Sequence, residues 1–351
     1  MREKQWNEVI VGFGGMGNWH RELIEGGIDH LHLKGIYDIA EGPREKAGAM
    51  GYSVYESLEA VLADPEVDII LCSTPNDCHK EIVLRALRAG KHVIAEKPVA
   101  LCSADLQEMI QTANETGRLF TVHQNRRWDE DFLTIKKIYD DGMLGEVFNI
   151  ESRVHGSRGI PGDWRKEKAH GGGMMLDWGV HIIDQALQMI PEKVKSVYCT
   201  LTHVTNEEVD DGFTLVLTFE SGLRYLLEVG TSHFISLPRW YIQGMNGSAV
   251  IRDWSLNGEI VRVTHWDQND AVPIKTAAGL TKTMAPRTDE TIASEALPVV
   301  CSDIRDFYRN IVDTLEGKAQ QKIQHSEIMR VMKLMEAAFQ SAQNNQILPF
   351  E

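Results

Sequence analysis

The side chains best equipped for chemistry fall in one run, Gly171-Gly172-Gly173-Met174-Met175-Leu176-Asp177-Trp178-Gly179-Val180-His181-Ile182-Ile183-Asp184-Gln185-Ala186-Leu187-Gln188. It reads as a glycine loop feeding a helix. At about 100° per residue, Asp177, His181, Asp184, Gln185 and Gln188 gather on one arc, and Leu176, Val180, Ile183 and Leu187 on another. A polar arc is ordinarily a solvated face, but this one carries no Lys, Arg or Glu, and three glycines at its head permit close approach of a ligand. Asp177 and His181 stand at i and i+4, so the carboxylate is expected to hold the imidazole by a hydrogen bond or to raise its basicity. An oriented histidine with a near-neutral pKa suits general base work.

A second constellation lies near the start. VIVGFGGMGNWHRELI carries Gly12, Gly14 and Gly17 in G-x-G-x-x-G spacing, after an apolar strand and opening a helix, with Phe13, Gly15 and Met16 between them. Gly12 allows the tight turn, Gly14 lets a pyrophosphate reach the backbone, and Gly17 allows close helix-to-strand packing. The helix N-terminus adds free N–H donors and positive dipole, so a diphosphate is expected there. Asp38 follows the last glycine by about 20 residues, where a carboxylate accepts from ribose hydroxyls and repels a 2′-phosphate. NAD is expected over NADP, although Arg44 nearby softens the choice. Two later strands end in Ser73-Thr74-Pro75-Asn76 and Glu96-Lys97-Pro98, at the strand C-termini where open α/β sheets bind ligands. In isolation Lys97 would read as a solvated surface lysine.

The elements that must position these groups follow from length and pattern. A chain of 351 residues exceeds one ordinary core, so two units are expected. Hydrophobic residues at 43% and charged residues at 25% remove disordered and disulfide-scaffold readings. A net charge of −15 disfavours nucleic acid and anionic membrane as partners. No spanning segment or signal-peptide pattern is visible, and a cytoplasmic location is expected. The five cysteines, Cys72, Cys78, Cys102, Cys199 and Cys301, are scattered, never spaced CxxC, and suggest neither disulfides nor zinc. No HExxH occurs among the thirteen histidines, so no metal is expected.

Residues 8 to 123 alternate VIVGF, LHLKGIY, VDIILCS, KHVIAE and RLFTVH with segments of helical length, which predicts an α/β dinucleotide-binding unit, with a parallel sheet, over 1–124. Over 125–351 the style is α+β with a mostly antiparallel open sheet. There DDGFTLVLTFESGLRYLLEVG predicts a hairpin turning at Glu220-Ser221-Gly222, with Phe213, Leu215, Leu217 and Phe219 on one face. Late helices are expected over Ser302 to Lys318 and Ser326 to Asn344. The stretch from His265 to Pro298 looks long and irregular, hence a surface arm or a lid. An open sheet exposes one face unless a second subunit covers it, so a homodimer or homotetramer is expected.

Across essentially its whole length the sequence resembles the Gfo/Idh/MocA oxidoreductases. The likeness rests on GFGGMG, DIILCSTPNDCHKEIVLRALRAGKHVIAEKPVA, MLGEV, DWR at Asp163 to Arg165, GGGMMLDWGVHIID and DFYRNIVDTLEGK. NRRWDEDF and the glycine-rich block are similar to the inositol and sugar dehydrogenases of that family. The resemblance implies an N-terminal Rossmann domain and a C-terminal α/β domain. It implies that Lys97 reaches the nicotinamide ribose and the substrate hydroxyls, with a bond to Pro98 that can be cis. Thr74, Pro75, Asn76 and His79 would lie beside the nicotinamide ribose, with Ser73 and Glu96 completing the cofactor set. Asp177 and His181 would be the proton-handling pair.

On this reading His181 takes the proton of a substrate hydroxyl while NAD takes the hydride, and Lys97 stabilises the developing alkoxide. Trp164 and Arg165 are further substrate-binding candidates, the resemblance adds Arg127 and His155 to the cleft lining, and Trp178 flanks the pair, though packing alone accounts for most tryptophans. The absence of an arginine cluster points to a neutral or weakly anionic sugar or cyclitol. Two other readings stay open: a dinucleotide-dependent sensor without turnover, and a glycosidase or lyase that uses tightly held NAD transiently.

Overall fold

A computed structural model describes residues 4–266 and 272–351. The first sheet comprises β1 (Trp6–Val11), β2 (Leu31–Tyr37), β3 (Ser53–Val54), β4 (Ile69–Cys72), β5 (His92–Ala95) and β6 (Phe120–Val122). All are parallel, in the order β3-β2-β1-β4-β5-β6. Helices α1 (Gly15–Glu25), α2 (Glu41–Ala49), α3 (Leu58–Ala63), α4 (His79–Arg88) and α5 (Ser103–Thr116) make the crossovers. β4 is buried at every residue, as Ile-Ile-Leu-Cys requires of a strand covered on both faces. Strand order reverses between β1 and β4, which opens a crevice at their C-terminal ends. This is a Rossmann-like sheet. β3 goes unseen in the sequence because it is two exposed residues long.

After α6 (Glu130–Asp140) the second sheet starts at β7 (Val147–His155). It continues with α7 (Val180–Met189), β8 (Val194–Thr202), β9 (Gly212–Phe219), β10 (Arg224–Gly230), β11 (Trp240–Gly244), β12 (Gly247–Ile251), β13 (Gly258–Val263), β14 (Ile274–Thr276), β15 (Gly279–Thr281) and β16 (Ile292–Glu295). Two helices, α8 (Arg305–Leu315) and α9 (His325–Asn344), and the short β17 (Leu348–Pro349) follow. The nine-stranded order is β16-β13-β12-β11-β7-β10-β9-β8-β17, antiparallel except for β7 beside β10.

The hairpin of β9 and β10 turns at Gly222, whose φ of 93° suits glycine. Phe213, Leu215, Leu217 and Phe219 are buried on one face of the sheet, on which α9 packs over β8 and α7 over β10. Part of the stretch expected to be irregular is ordered. β16 extends the sheet edge beside β13, and β14 pairs with β15 as an exposed hairpin, while residues 267–271 lie outside the described residues. Ile-Ala-Ser-Glu in β16 is too short and polar to announce a strand.

The last helices tie the units together. α8 packs back on α1, with Tyr308 fully buried, and α9 touches α5 as well as α7 and β8. The α1 packing is exacting: a Cβ at Gly17 would lie 2.2 Å from the Gly12 carbonyl oxygen, a backbone atom that cannot swing aside. Gly17→Ala is therefore expected to cost about 1–3 kcal/mol, measured by urea unfolding, and to weaken dinucleotide binding in a fluorescence titration.

Candidate active site

The glycine turn forms because β1 runs directly into α1. Gly12 has φ of 95°, and a Cβ there would stand 2.4 Å from the Ser73 carbonyl oxygen at the end of β4. Gly14 and Gly15 face open space instead. Gly14 precedes α1 without a side-chain cap, and no acidic residue lies in the first turn, so the leading N–H groups and the dipole are left to a ligand. These features fit a dinucleotide pyrophosphate. Phe13 is buried and fixes Asp38: its N–H donates to Asp38 Oδ2 at 2.7 Å, and Ala40 N–H donates to Oδ1 at 2.8 Å. Arg44 donates to the carbonyl oxygens of Asp38 and Ile39. Met16 sits half-buried in the first turn of α1.

The chain after β4 is fastened rather than free. Asn76 Nδ2 donates to the Gly171 carbonyl at 2.9 Å, a buried link between the units. His79, expected beside the nicotinamide ribose, is fully buried, with its ring nitrogens 2.9 Å from the carbonyl oxygens of Thr74 and Pro98. It ties together the loops that bear Thr74, Pro75 and Lys97, and its ring does not face the crevice. The Lys97–Pro98 bond is cis, as the resemblance implies.

Glu96 also departs from the expected cofactor role. Its Oε1 accepts from His20 Nε2 and His123 Nδ1, each at 2.7 Å, and its Oε2 accepts from the Lys97 N–H at 3.1 Å. Tyr308 Oη bonds to the other nitrogen of His20. Burial alone would raise the Glu96 pKa, but the two histidines overcome this and hold it well below the usual range. Burial first, and the neighbouring His123 second, push His20 down to about 4. The cluster thus holds an anion between two imidazoles, beneath the residue that carries the candidate lysine.

Lys97 Nζ reaches across to the second unit. It donates to Asp177 Oδ1 at 3.0 Å and to the Asp177 carbonyl at 3.1 Å, while Arg165 Nε donates to Asp177 Oδ2 at 3.3 Å. Arg165 is itself paired with Asp163 at 2.8 Å and lies over the half-buried Trp164 ring. Burial would raise the Asp177 pKa, but the two cations prevail and keep it below the ordinary value.

The expected Asp177–His181 hydrogen bond is absent. Met175 to Gly179 wind as a wide π-helical turn before α7, which breaks the regular i,i+4 alignment, and two cations are stronger partners for the carboxylate than a neutral ring. Asp210 Oδ2 accepts from the Met175 N–H at 2.7 Å, and the missing Cβ of Gly173 leaves room for that carboxylate.

His181 is 3% exposed, and none of the described residues offers a hydrogen bond to either ring nitrogen. Burial first, then the nearby Lys97 and Arg126 cations, push its pKa well below the ordinary value. A buried imidazole held neutral and unpartnered keeps a ring nitrogen free for whatever enters beside Lys97.

The polar arc of α7 is not solvated: Asp184 and Gln185 are buried with His181. This also relocates Arg127, expected to line the cleft. Its Nε and Nη2 hold Asp184 at 2.7 and 2.6 Å, and its Nη1 holds Glu327 at 2.8 Å, so the guanidinium is committed to structural pairs. His155 is displaced by strand alternation. Ser152 faces α7, where Arg239 bridges it to Gln185, so Arg153 and His155 point to the opposite face of the sheet.

Trp178 does flank the site, with its ring 5.8 Å from that of His181. No motif or spacing announces its neighbours. Arg126 lies 4.2 Å over Trp178, and Trp254, from the turn between β12 and β13, stands 6.0 Å from Trp178.

Two groups of ligand-type side chains converge from distant parts of the chain, which short spacings cannot reveal. In His20, Glu96 and His123 the candidate ligand atoms are already hydrogen-bonded to one another. In His155, Glu228 and His233 the two imidazoles stack at 3.8 Å and 10°, so one ion cannot lie in both ring planes.

The crevice over α1 and the Lys97–Asp177 contact define a dinucleotide-dependent enzyme of two units. The model of the oxidoreductase family with an NAD-binding Rossmann fold matches residues 6–124, and that of the GFO/IDH/MocA C-terminal domain matches 132–250. The chain belongs to this family of NAD-binding oxidoreductases. It is 48% identical to a crystal structure of an NAD-binding protein from Listeria innocua, with a TM-score of 0.96 over 99% of this chain and 100% of that one. It is 27% identical to the scyllo-inositol 2-dehydrogenase (NADP(+)) IolW of Bacillus subtilis, over 97% of this chain and 95% of the relative. An uncharacterised oxidoreductase of Schizosaccharomyces pombe is 30% identical, over 83% and 84%.

Because the folded pKa of Asp177 is lowered, its stabilising contribution is present above the unfolded value, near pH 4, and is lost as pH falls through the folded value. Asp177→Asn should cost roughly 1–3 kcal/mol at neutral pH. The gap to the parent protein should close on acidification, as read from urea midpoints across pH.

Proposed function

We propose that this protein is a dehydrogenase that oxidises a hydroxyl-bearing carbon of a sugar or cyclitol, with His181 as general base. The observation that carries the reading is the unpartnered, neutral imidazole of His181 beside the Lys97–Asp177 pair. Residues 1–124 hold the dinucleotide and residues 125–351 receive the substrate.

Lys97 has three N–H donors, and Asp177 takes two, leaving one for a substrate oxygen. As the hydroxyl proton passes to His181, the negative charge growing on that oxygen is stabilised by the ammonium, in a site with little competing water. Asp177 and Arg165 hold the ammonium in place. A bound nicotinamide ring supplies the hydride acceptor. In the reverse direction the imidazolium returns its proton to the alkoxide.

NAD is the preferred cofactor on this reading. The Asp38 carboxylate is pinned beside the glycine turn, where it accepts from ribose hydroxyls and opposes a 2′-phosphate. IolW, whose name specifies NADP, makes this the cofactor feature to test. The sugar or cyclitol class is supported by that relative and by the balance of charge around the cleft, where Lys97 and Arg165 face Asp177 and Asp163. The sheet face opposite α7 and α9 bears half-buried Val216 and Leu226, which favours a homodimer or homotetramer that covers it. Five free thiols favour the cytoplasm, and no helix among the described residues is long and apolar enough to cross a membrane.

On a panel of inositols, aldoses and glucosides with NAD and NADP, net reduced cofactor should form with at least one substrate. His181→Ala should lower kcat by about 10²- to 10⁴-fold with little change in NAD affinity. Near-normal turnover in that variant removes His181 from the mechanism. Asp38→Ser should narrow the NAD preference, read as the ratio of kcat/KM for the two cofactors.

A further inference from the structure

The wall beside His181 is built from two indoles, each backed by an arginine that a carboxylate holds. Arg126 lies 4.2 Å over Trp178, and its Nη1 donates to Asp129 at 2.9 Å. Arg239 lies 4.8 Å over Trp254 and is paired with Asp131 at 3.0 Å. Each guanidinium is anchored by its carboxylate, and cation–π contact orients the indole above it. Arg126 also reaches within 5.5 Å of Trp254, which joins the two stacks into one surface.

A packing role would bury both rings, yet Trp254 remains 51% exposed. With about half of its surface open, the indole is accessible to a ligand. Trp178 lies between the other two in contact: His181 to Trp178 is 5.8 Å with 67° between the ring planes, and Trp178 to Trp254 is 6.0 Å with 44°. Each distance is about the width of a six-membered sugar ring. One ring suffices to place a reacting carbon beside His181 and Trp178, so a monocyclic substrate gives Trp254 nothing to hold.

We infer that Trp254 is a specificity-determining residue that stacks a second ring, and that the substrate is a disaccharide or other glycoside whose reacting ring lies by Trp178. This rests on the dehydrogenase reading of the site. Sugar C–H faces pack on indole, and the hydroxyl edges remain free for hydrogen bonds.

The test compares glucose and myo-inositol with cellobiose, maltose and galactinol, on the parent protein, Trp254→Ala and Trp254→Phe. The parent should favour a two-ring compound in kcat/KM. Trp254→Ala should reduce the two-ring to one-ring ratio by about 10-fold, and Trp254→Phe should restore most of it. Thermal unfolding checks that both variants are folded. An unchanged ratio in Trp254→Ala, or a parent that prefers the monocyclic compounds, overturns the inference. Calorimetric titration of the NAD-loaded protein with cellobiose, maltose and galactinol separates the two readings. Binding that weakens in Trp254→Ala, without turnover on any sugar, sinks the dehydrogenase reading and leaves the stacking position standing. Equal binding by parent and variant sinks the stacking position alone.

Discussion

The contact between the Lys97 ammonium and the Asp177 carboxylate is the constraint on which the site depends, because its two ends belong to different units. Neither group is more than 15% exposed, so each has given up much of its hydration and recovers it only in the presence of the other. Lys97 lies just beyond a buried parallel strand and Asp177 rides on a widened helical turn, so the contact ties the two units together at that point. Arg165 and the link from Asn76 to Gly171 reinforce the same junction.

That pairing also determines the state of the imidazole. With Asp177 engaged by two cations, no carboxylate is left to hold His181, and the cations nearby make protonation still harder. The ring is kept neutral by what surrounds it rather than oriented by a dedicated partner. The arrangement differs from a simple acid–histidine dyad, in which the carboxylate orients the imidazole and raises its basicity.

The parts of this design that follow local rules were legible in the sequence. Glycines at 12, 14 and 17 have few physical explanations besides a tight turn with close packing, and alternation in the β9–β10 hairpin identified its buried face. Tertiary competition is what the sequence hid. The i,i+4 pairing of Asp177 and His181 presumed a regular helix and ignored cations arriving from residues 97 and 165. Arg127 and His155 were assigned by likeness, whereas buried partners on α7 and α9 claim the first and strand alternation turns the second away. Glu96 and His79 sit in a functional stretch yet face inward, a distinction of one residue that no motif expresses. Trp254 lies far along the chain in an unremarkable turn, and only folding brings it to Trp178.

The buried cluster beneath Lys97 bears on how the chain acquires its structure. Tyr308 belongs to α8, near the end of the sequence, but its hydroxyl completes the contacts of His20, which in turn steadies Glu96. Glu8, on the first strand, is fully buried without a hydrogen-bond partner, and burial lifts its pKa to about 8, so it is uncharged at neutral pH beside that tyrosine. A nascent nucleotide-binding half, complete through β6, would leave this acid-and-imidazole nest open to water. Its consolidation therefore depends on α8, so the floor of the crevice is closed by a helix from far beyond β6 in the sequence.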